Sequence, residues 1–370
     1  MKKILVAIMA LAITAGLASC NKDEDNNTNN NNDNFQGDGI TVYDENLGDG
    51  LYQPKLHIST IELDGSTVST LSWNGNQLKE LKTNGSNVPL VYNNDGRLKS
   101  SSFQGITYNY IYNGTMVSNV RLTGLMGLMA NIKVTHTGSH ITQLSYDSVS
   151  TLYLMQLASE YLDFGIDLKG NSKLSFGDAI INESFDWIGD NVSSHSMTGA
   201  LTVGISPKEV STIINVGDLI NSFISANYPS IANNPTLTSI IDQLVEYIAS
   251  DTIEMPVDLE IAVDESYSYD SQRNYMQYFW PMGIQTTNLS ANNPVEFNQV
   301  VNLNALAHYT LSDDFPLASL LALAGLNQLD IPFSKEISKT SDSYSYQYNS
   351  YNFPTTIKSA NNGEITIKYN

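Results

Sequence analysis

One spacing recurs in the first half of the chain and limits its architecture more than any other feature. Trp73-x-Gly75-x-x-Leu78-x-x-Leu81, Tyr112-x-Gly114-x-x-Val117-x-x-Val120 and His136-x-Gly138-x-x-Ile141-x-x-Leu144 share it. Tyr92-Asn93-Asn94-Asp95-Gly96-Arg97-Leu98 is the same unit with a longer turn. Each unit reads as a strand ending in an aromatic or histidine, a glycine turn able to take positive φ, and a return strand with its apolar residues on one side. A single hairpin is marginal in water, so several such units must pair into one antiparallel sheet. Ile58 to Leu63 before the Asp64-Gly65 turn reads as a further strand. Near the end of the chain Tyr344, Tyr346 and Tyr348 alternate along a strand, Asn352-Phe353-Pro354 turns, and Ile357 and Ile365-Thr366-Ile367 continue the pattern.

The period changes between these regions. Ser206-Pro207-Lys208-Glu209 forms a capping box with proline at the first helical position, and the stripe Val210, Ile213, Ile214, Ile220, Phe223, Ile224 predicts one helix ending before Pro229. Leu237, Ile240, Ile241, Leu244, Val245 and Ile248 predict a second, the pair forming a helical hairpin that lies on one sheet face. A third, short and buried, is expected from Pro316 to Ala324. Ile253 to Val263 and Tyr267 to Gly283 read as two strands with Asp264-Glu265 as turn or cap residues, and Pro256 argues for an edge position. The expected fold is therefore α+β, mainly β, an antiparallel hairpin or meander sheet with an inserted helical hairpin packed on it.

The amino terminus reads as an address. Lys2 and Lys3 precede an apolar run from Ile4 to Ala18, too short to span a bilayer as a helix and ending in Leu17-Ala18-Ser19-Cys20. Asn21 to Asp38 holds eight Asn and five acidic residues, with Phe35 its one large apolar group, and reads as a flexible tether. The segments expected are a signal peptide over 1–19, a tether over 20–38, a hairpin-repeat sheet over 39–205, a helical insertion with intervening strands over 206–330, and completing strands over 331–370.

Leu-Ala-Ser-Cys resembles the bacterial lipobox, and the likeness implies that Cys20, the chain's one cysteine, is lipidated and becomes the mature first residue. Cys20-Asn21-Lys22-Asp23-Glu24-Asp25 is similar to the export signal of Bacteroidetes surface lipoproteins, with Lys22, Asp23 and Glu24 as its signal residues. The Tyr-Asn-Asn-Asp-Gly-Arg-Leu segment resembles the YD (RHS-type) repeats of uncharacterised lipoproteins in that phylum. Together these likenesses imply a lipid-anchored protein at the cell surface of the outer membrane, with a sheet built from degenerate YD-like hairpins.

Chemistry is sparse in the sequence. With 18 basic against 38 acidic residues, a formal charge of −20, the chain is no nucleic-acid partner, which would need to neutralise phosphates. No zinc-protease, Gly-x-Ser-x-Gly, Walker or dinucleotide pattern occurs, and no cofactor or metal is expected. His136 and His140 flank the Gly138 turn rather than sharing a helix face. Aromatic density points outward instead: Tyr267, Tyr269, Tyr275, Tyr278 and Trp280 are candidates to stack on a ligand, with cross-strand packing the alternative. The reading is a non-catalytic module binding a glycan or an envelope or host protein. The alternatives are a hydrolase of polysaccharide or peptide whose site is assembled only in space, and a structural subunit of an envelope assembly.

Overall fold

Alternation of inward and outward residues, shifted at bulges in many of the pairings, builds the molecule. The computed structural model describes residues 57–370 except 75–76, 104, 125–126, 151–174, 211–214, 235–237, 277–282, 285, 313, 316–317, 319–321, 323–326 and 362. The leader, Cys20, Lys22, Asp23 and Glu24 lie outside that range, as do Tyr278, Trp280 and most of the third expected helix.

The strands are β1 (Ile58–Leu63), β2 (Ser66–Asn74), β3 (Gln77–Thr83), β4 (Ser86–Val88), β5 (Leu90–Tyr92), β6 (Leu98–Phe103), β7 (Ile106–Asn113), β8 (Met116–Gly124), β9 (Gly127–Thr137) and β10 (His140–Asp147). Longer strands follow, β11 (Ser175–Ile188), β12 (Asn191–Ile205), β13 (Met255–Arg273), β14 (Asn292–Thr310) and β15 (Gln328–Tyr348), then β16 (Pro354–Ser359) and β17 (Gly363–Tyr369). All described pairings are antiparallel and between sequence neighbours, except that β1 also pairs with β17. The meander thereby curls into a ring. Its ladder is interrupted at Pro89, where β4 pairs back to β3 and β5 forward to β6. Proline has no amide hydrogen to give, but its carbonyl accepts from Ser102 N at 3.1 Å.

Side chains from the whole circumference meet inside the ring, including Ile58, Leu81, Leu98, Val120, Ile141, Phe185, Phe297 and Ile367. The wall β11–β15 runs to strands of up to 21 residues and overshoots the short strands opposite. The inward apolar row on the overshoot, Val203, Val257, Leu259, Ala305 and Ile331, would meet water if left bare. Helices α1 (Pro207–Val210), α2 (Val216–Asn227), α3 (Pro229–Ala232) and α4 (Thr238–Ser250) fill the space, and a fifth short one, α5 (Thr286–Leu289), lies between β13 and β14. Val216, Ile220 and Ile224 of α2 and Ile241, Leu244 and Ile248 of α4 pack onto that row.

Three sequence expectations change here. The helix expected from Pro207 does not run as one piece into α2: Asn215 is extended (φ −75°, ψ 92°) and its side chain accepts from Asp218 N, so α2 starts afresh with its own cap. The two strands expected around Asp264-Glu265 are the single strand β13, because Glu265 finds partners on neighbouring strands and needs no turn. Pro256 is not on an edge strand, since β13 lies between β12 and β14; it stands one residue before the β14 ladder begins at Val257, where no amide hydrogen is required of it.

The recurring aromatic has a specific task. Trp73 Nε1 donates to Ile58 O at 2.9 Å, Tyr92 OH to Leu78 O at 2.7 Å, Tyr112 OH to Leu98 O at 2.8 Å, and His136 Nε2 lies 2.8 Å from Val117 O. For Tyr92, Tyr112 and His136 the acceptor is the first apolar residue of the preceding unit's return strand, and for Trp73 it is the first residue of β1. Trp187 Nε1 donates to Ile141 O at 2.7 Å in the same way, and Trp187-x-Gly189-x-x-Val192 carries the same spacing, a further unit that the sequence reading missed. Glycine turns make the geometry possible, with φ of 63° at Gly114, 62° at Gly138 and 59° at Gly189. Tyr112→Phe keeps the ring and removes the donor. It should lower stability by about 1 kcal/mol in urea unfolding, and an unchanged midpoint would show the bond to be dispensable.

Candidate functional site

Of the aromatic residues proposed for ligand stacking, the three described ones, Tyr267, Tyr269 and Tyr275, are turned inward. Tyr267 is 1% exposed and Tyr275 4% exposed, and Tyr269 is half-buried with its hydroxyl 2.9 Å from Val192 O and 2.7 Å from Ser290 Oγ. None of these three rings offers a flat face to a ligand. The reason is register: Tyr267 faces the core on the side of β13 opposite its neighbour Ser266.

Above the Tyr267 layer the inward face of the long wall carries charge. His195 of β12 is 8% exposed and sits between two carboxylates, Nδ1 2.8 Å from Glu265 Oε2 and Nε2 3.1 Å from Glu183 Oε2. Tyr146 donates to Glu183, and Tyr267 and Gln299 donate to Glu265, the last at 2.8 Å. The ring also stacks on Phe185, with centroids 4.8 Å apart. Apolar side chains close the layer from the other side as well, Ile181, Met197, Val263 and Val301. Burial alone would push the imidazolium to lose its proton; the hydrogen bonds and charges of Glu183 and Glu265 outweigh it and raise the pKa to about 10. Burial would likewise raise Glu265, but His195 beside it, helped by Tyr267 and Gln299, holds it below the ordinary carboxylate range. A histidine with both nitrogens engaged and its proton held this tightly is no general base at neutral pH. The cluster is a structural ion pair network.

The other histidines divide similarly. His140 stacks on Trp187 at 4.1 Å while His136 bonds Val117 O, so the two serve different partners. Among the described residues no group of His, Cys, Asp and Glu is arranged to hold a metal ion.

On the opposite, outward face of the same wall lies a concavity of about 860 Å³ that contains none of the buried cluster. Ile180, Ala200, Leu306 and Pro332 form an aliphatic floor, and Thr202, Asp258, Glu260, Asn304 and Ser334 bring polar groups to it. Cross-strand bonds hold these groups: Thr202 donates to Asp258 at 2.7 Å, Asn304 to Glu260 at 3.0 Å and Ser334 to Asn304 at 2.7 Å. His308 bridges Asp258 and Asp330 next to it, at 2.9 and 2.8 Å. Asp258 is held below its usual range by Thr202 and then His308, the opposite of the raised carboxyl that a general acid requires. The arrangement can hold a ligand, and Asp258, held ionised, is not its proton donor.

No protein-family model matches the chain, and no curated protein matches it. Among solved structures a porin-like protein from Bacteroides vulgatus ATCC 8482 is similar at 9% identity, over 85% of this chain and 99% of that one, with a TM-score of 0.28. Backbones related at that score do not share a demonstrable fold, so the likeness carries nothing about activity.

Proposed function

We propose that this chain is a surface lipoprotein of the outer membrane, tethered through a lipid on Cys20, whose ring of YD-like hairpins is a non-catalytic module binding a glycan or an envelope or host protein. The observation that carries this reading is the polarity of the wall. Along β13 the inward Val257, Val263 and Tyr267 are buried while Asp258, Glu260 and Asp264 face out exposed. A barrel that crosses a membrane by strands needs an outward apolar band about 25 Å tall and a polar interior. Strand β13 has the reverse order, and the ring's interior is filled by packed apolar side chains. Attachment then falls to the N-terminal lipid, where two acyl signals give stable anchoring and one chain does not.

The hydrolase alternative is disfavoured by the same geometry, since the buried His195 is fully engaged and the carboxylate Asp258 is held ionised. Metabolic labelling with a palmitate analogue tests the anchor. The wild-type protein should take the label and sediment with membranes, and Cys20→Ala should do neither. Equal fractionation of the two would remove the basis of the reading. Replacing Lys22, Asp23 and Glu24 by alanine should keep the label but abolish shaving by protease added to intact cells. Binding itself is read by glycan-array and envelope-protein capture with the full chain in detergent.

A further inference from the structure

We propose that the outward concavity of β11–β15 is the module's docking site and that its occupant is an extended basic protein segment with Lys or Arg at alternate positions. This rests on the binding-module reading above and names the partner. Three features lead to it.

The first is spacing. Asp258 and Glu260 are two residues apart on one strand, so they project to the same side about 7 Å apart. Alternate side chains of an extended segment have the same separation and would meet them in register. The second is the floor. Ile180 is 60% exposed at its edge, and with Ala200, Leu306 and Pro332 it offers aliphatic surface directly beside the carboxylates. Lys and Arg match such a surface, since their methylene stems cover apolar ground while their heads stay with charge. The third is sign. No Lys or Arg lines the concavity. Asp258 and Glu260 give the lining a net charge of −2, and the neighbouring Asp330 paired with a protonated His308 adds nothing to it. A carboxylate has about four acceptor sites, so the bonds from Thr202, His308 and Asn304 hold these groups in place while leaving sites for a ligand.

A glycan fits less well. Stacking on a sugar needs an exposed ring, and the aromatic residue among the lining, Phe333, shares the inward register of Ile331 and pairs with Ala305. Strand addition is also unsuited, because the interior strands of this wall are already paired on both sides.

The test is fluorescence anisotropy on the full chain in detergent, with a heptapeptide alternating Ser and Lys as probe, its Glu counterpart, and dextran as a neutral glycan competitor. The Lys peptide should bind, the Glu peptide should not, and Asp258→Asn with Glu260→Gln should weaken binding at least tenfold. Ile180→Ser should weaken it with all charges kept. Asp186→Asn, which removes an exposed charge from the same wall outside the concavity, should change it less than twofold. Equal weakening by Asp186→Asn would reduce the effect to bulk charge and overturn the site. Absence of peptide binding, or displacement of the peptide by dextran, would overturn the basic partner. Cys20 labelling is read separately: peptide failure with normal labelling and capture of another ligand sinks this inference alone, whereas failed labelling sinks the anchored reading and leaves the docking site standing.

Discussion

His195→Ala is expected to destabilise the protein by about 3–5 kcal/mol, the cost of removing one member of a buried ion network. The substitution leaves Glu183 and Glu265 facing each other across a cavity between two apolar layers, with no cation between them. Part of the loss is therefore the orphaned charge rather than the missing ring. Glu265→Gln in the His195→Ala background should recover some of it, so the double variant should cost less than the two single changes added. The wild-type protein should also show an alkaline dependence that the variant lacks. Its imidazole has an unfolded-state pKa of about 6.5 and a folded one of about 10. A raised folded pKa means that the stabilisation is complete below pH 6.5 and is lost progressively as pH rises to 10. Glu265 works at the other end: its folded pKa is depressed, so its contribution is present above the unfolded carboxylate value and disappears as pH falls through the folded one. Urea unfolding midpoints measured from pH 6 to 10 decide the matter. A wild-type profile parallel to that of His195→Ala would refute the network's contribution.

Phe353→Ala should cost a comparable amount, about 3–5 kcal/mol, through a different mechanism. Phe353 is completely buried where the last two strands close the ring. The turn that delivers it is built by Asn349, whose Oδ1 accepts from Tyr351 N at 2.9 Å and Phe353 N at 3.1 Å, and by Asn352 at φ 64°. Its ring packs on Tyr369 at 5.7 Å, and the Tyr369 hydroxyl returns to Pro354 O at 2.8 Å. Removing the ring takes away the contact between the turn and the closing strand β17. Amide exchange at Ile365 and Ile367 should then accelerate more than exchange at Val120 on the opposite side of the ring. A stability loss below 1 kcal/mol, or uniform acceleration, would mean that closure does not depend on this side chain.

The hairpins could be read from the sequence because each is local: aromatic, glycine and apolar residue lie within six positions, and a glycine turn with return strand follows from backbone sterics. The stripe of α4 and the alternation of Tyr344, Tyr346 and Tyr348 along one strand were legible for the same reason. The purpose of the recurring aromatic was not, because its acceptor lies 14 to 46 residues earlier and is a carbonyl, which has no identity in a sequence. Whether Tyr267 and Tyr275 stack on a ligand or pack across strands stayed open for want of a register. Asp264-Glu265 has the look of a turn or cap in the sequence, because nothing nearby in the chain partners the pair inside a strand. The partner of Glu265 is His195, 70 positions away, and only pairing of β12 with β13 brings it there.

What the sequence determined by itself is therefore the set of local elements: glycine hairpins and amphipathic helices. Tertiary structure alone decided that the meander closes on itself through β1 and β17, that the charged trio lies inside, and that a floored acidic concavity lies outside. The physical reason is that burial and charge compensation are relations between residues distant along the chain. Which face of a strand is inside, and which carboxylate meets which imidazole, depends on pairing registers that short-range sterics leave open.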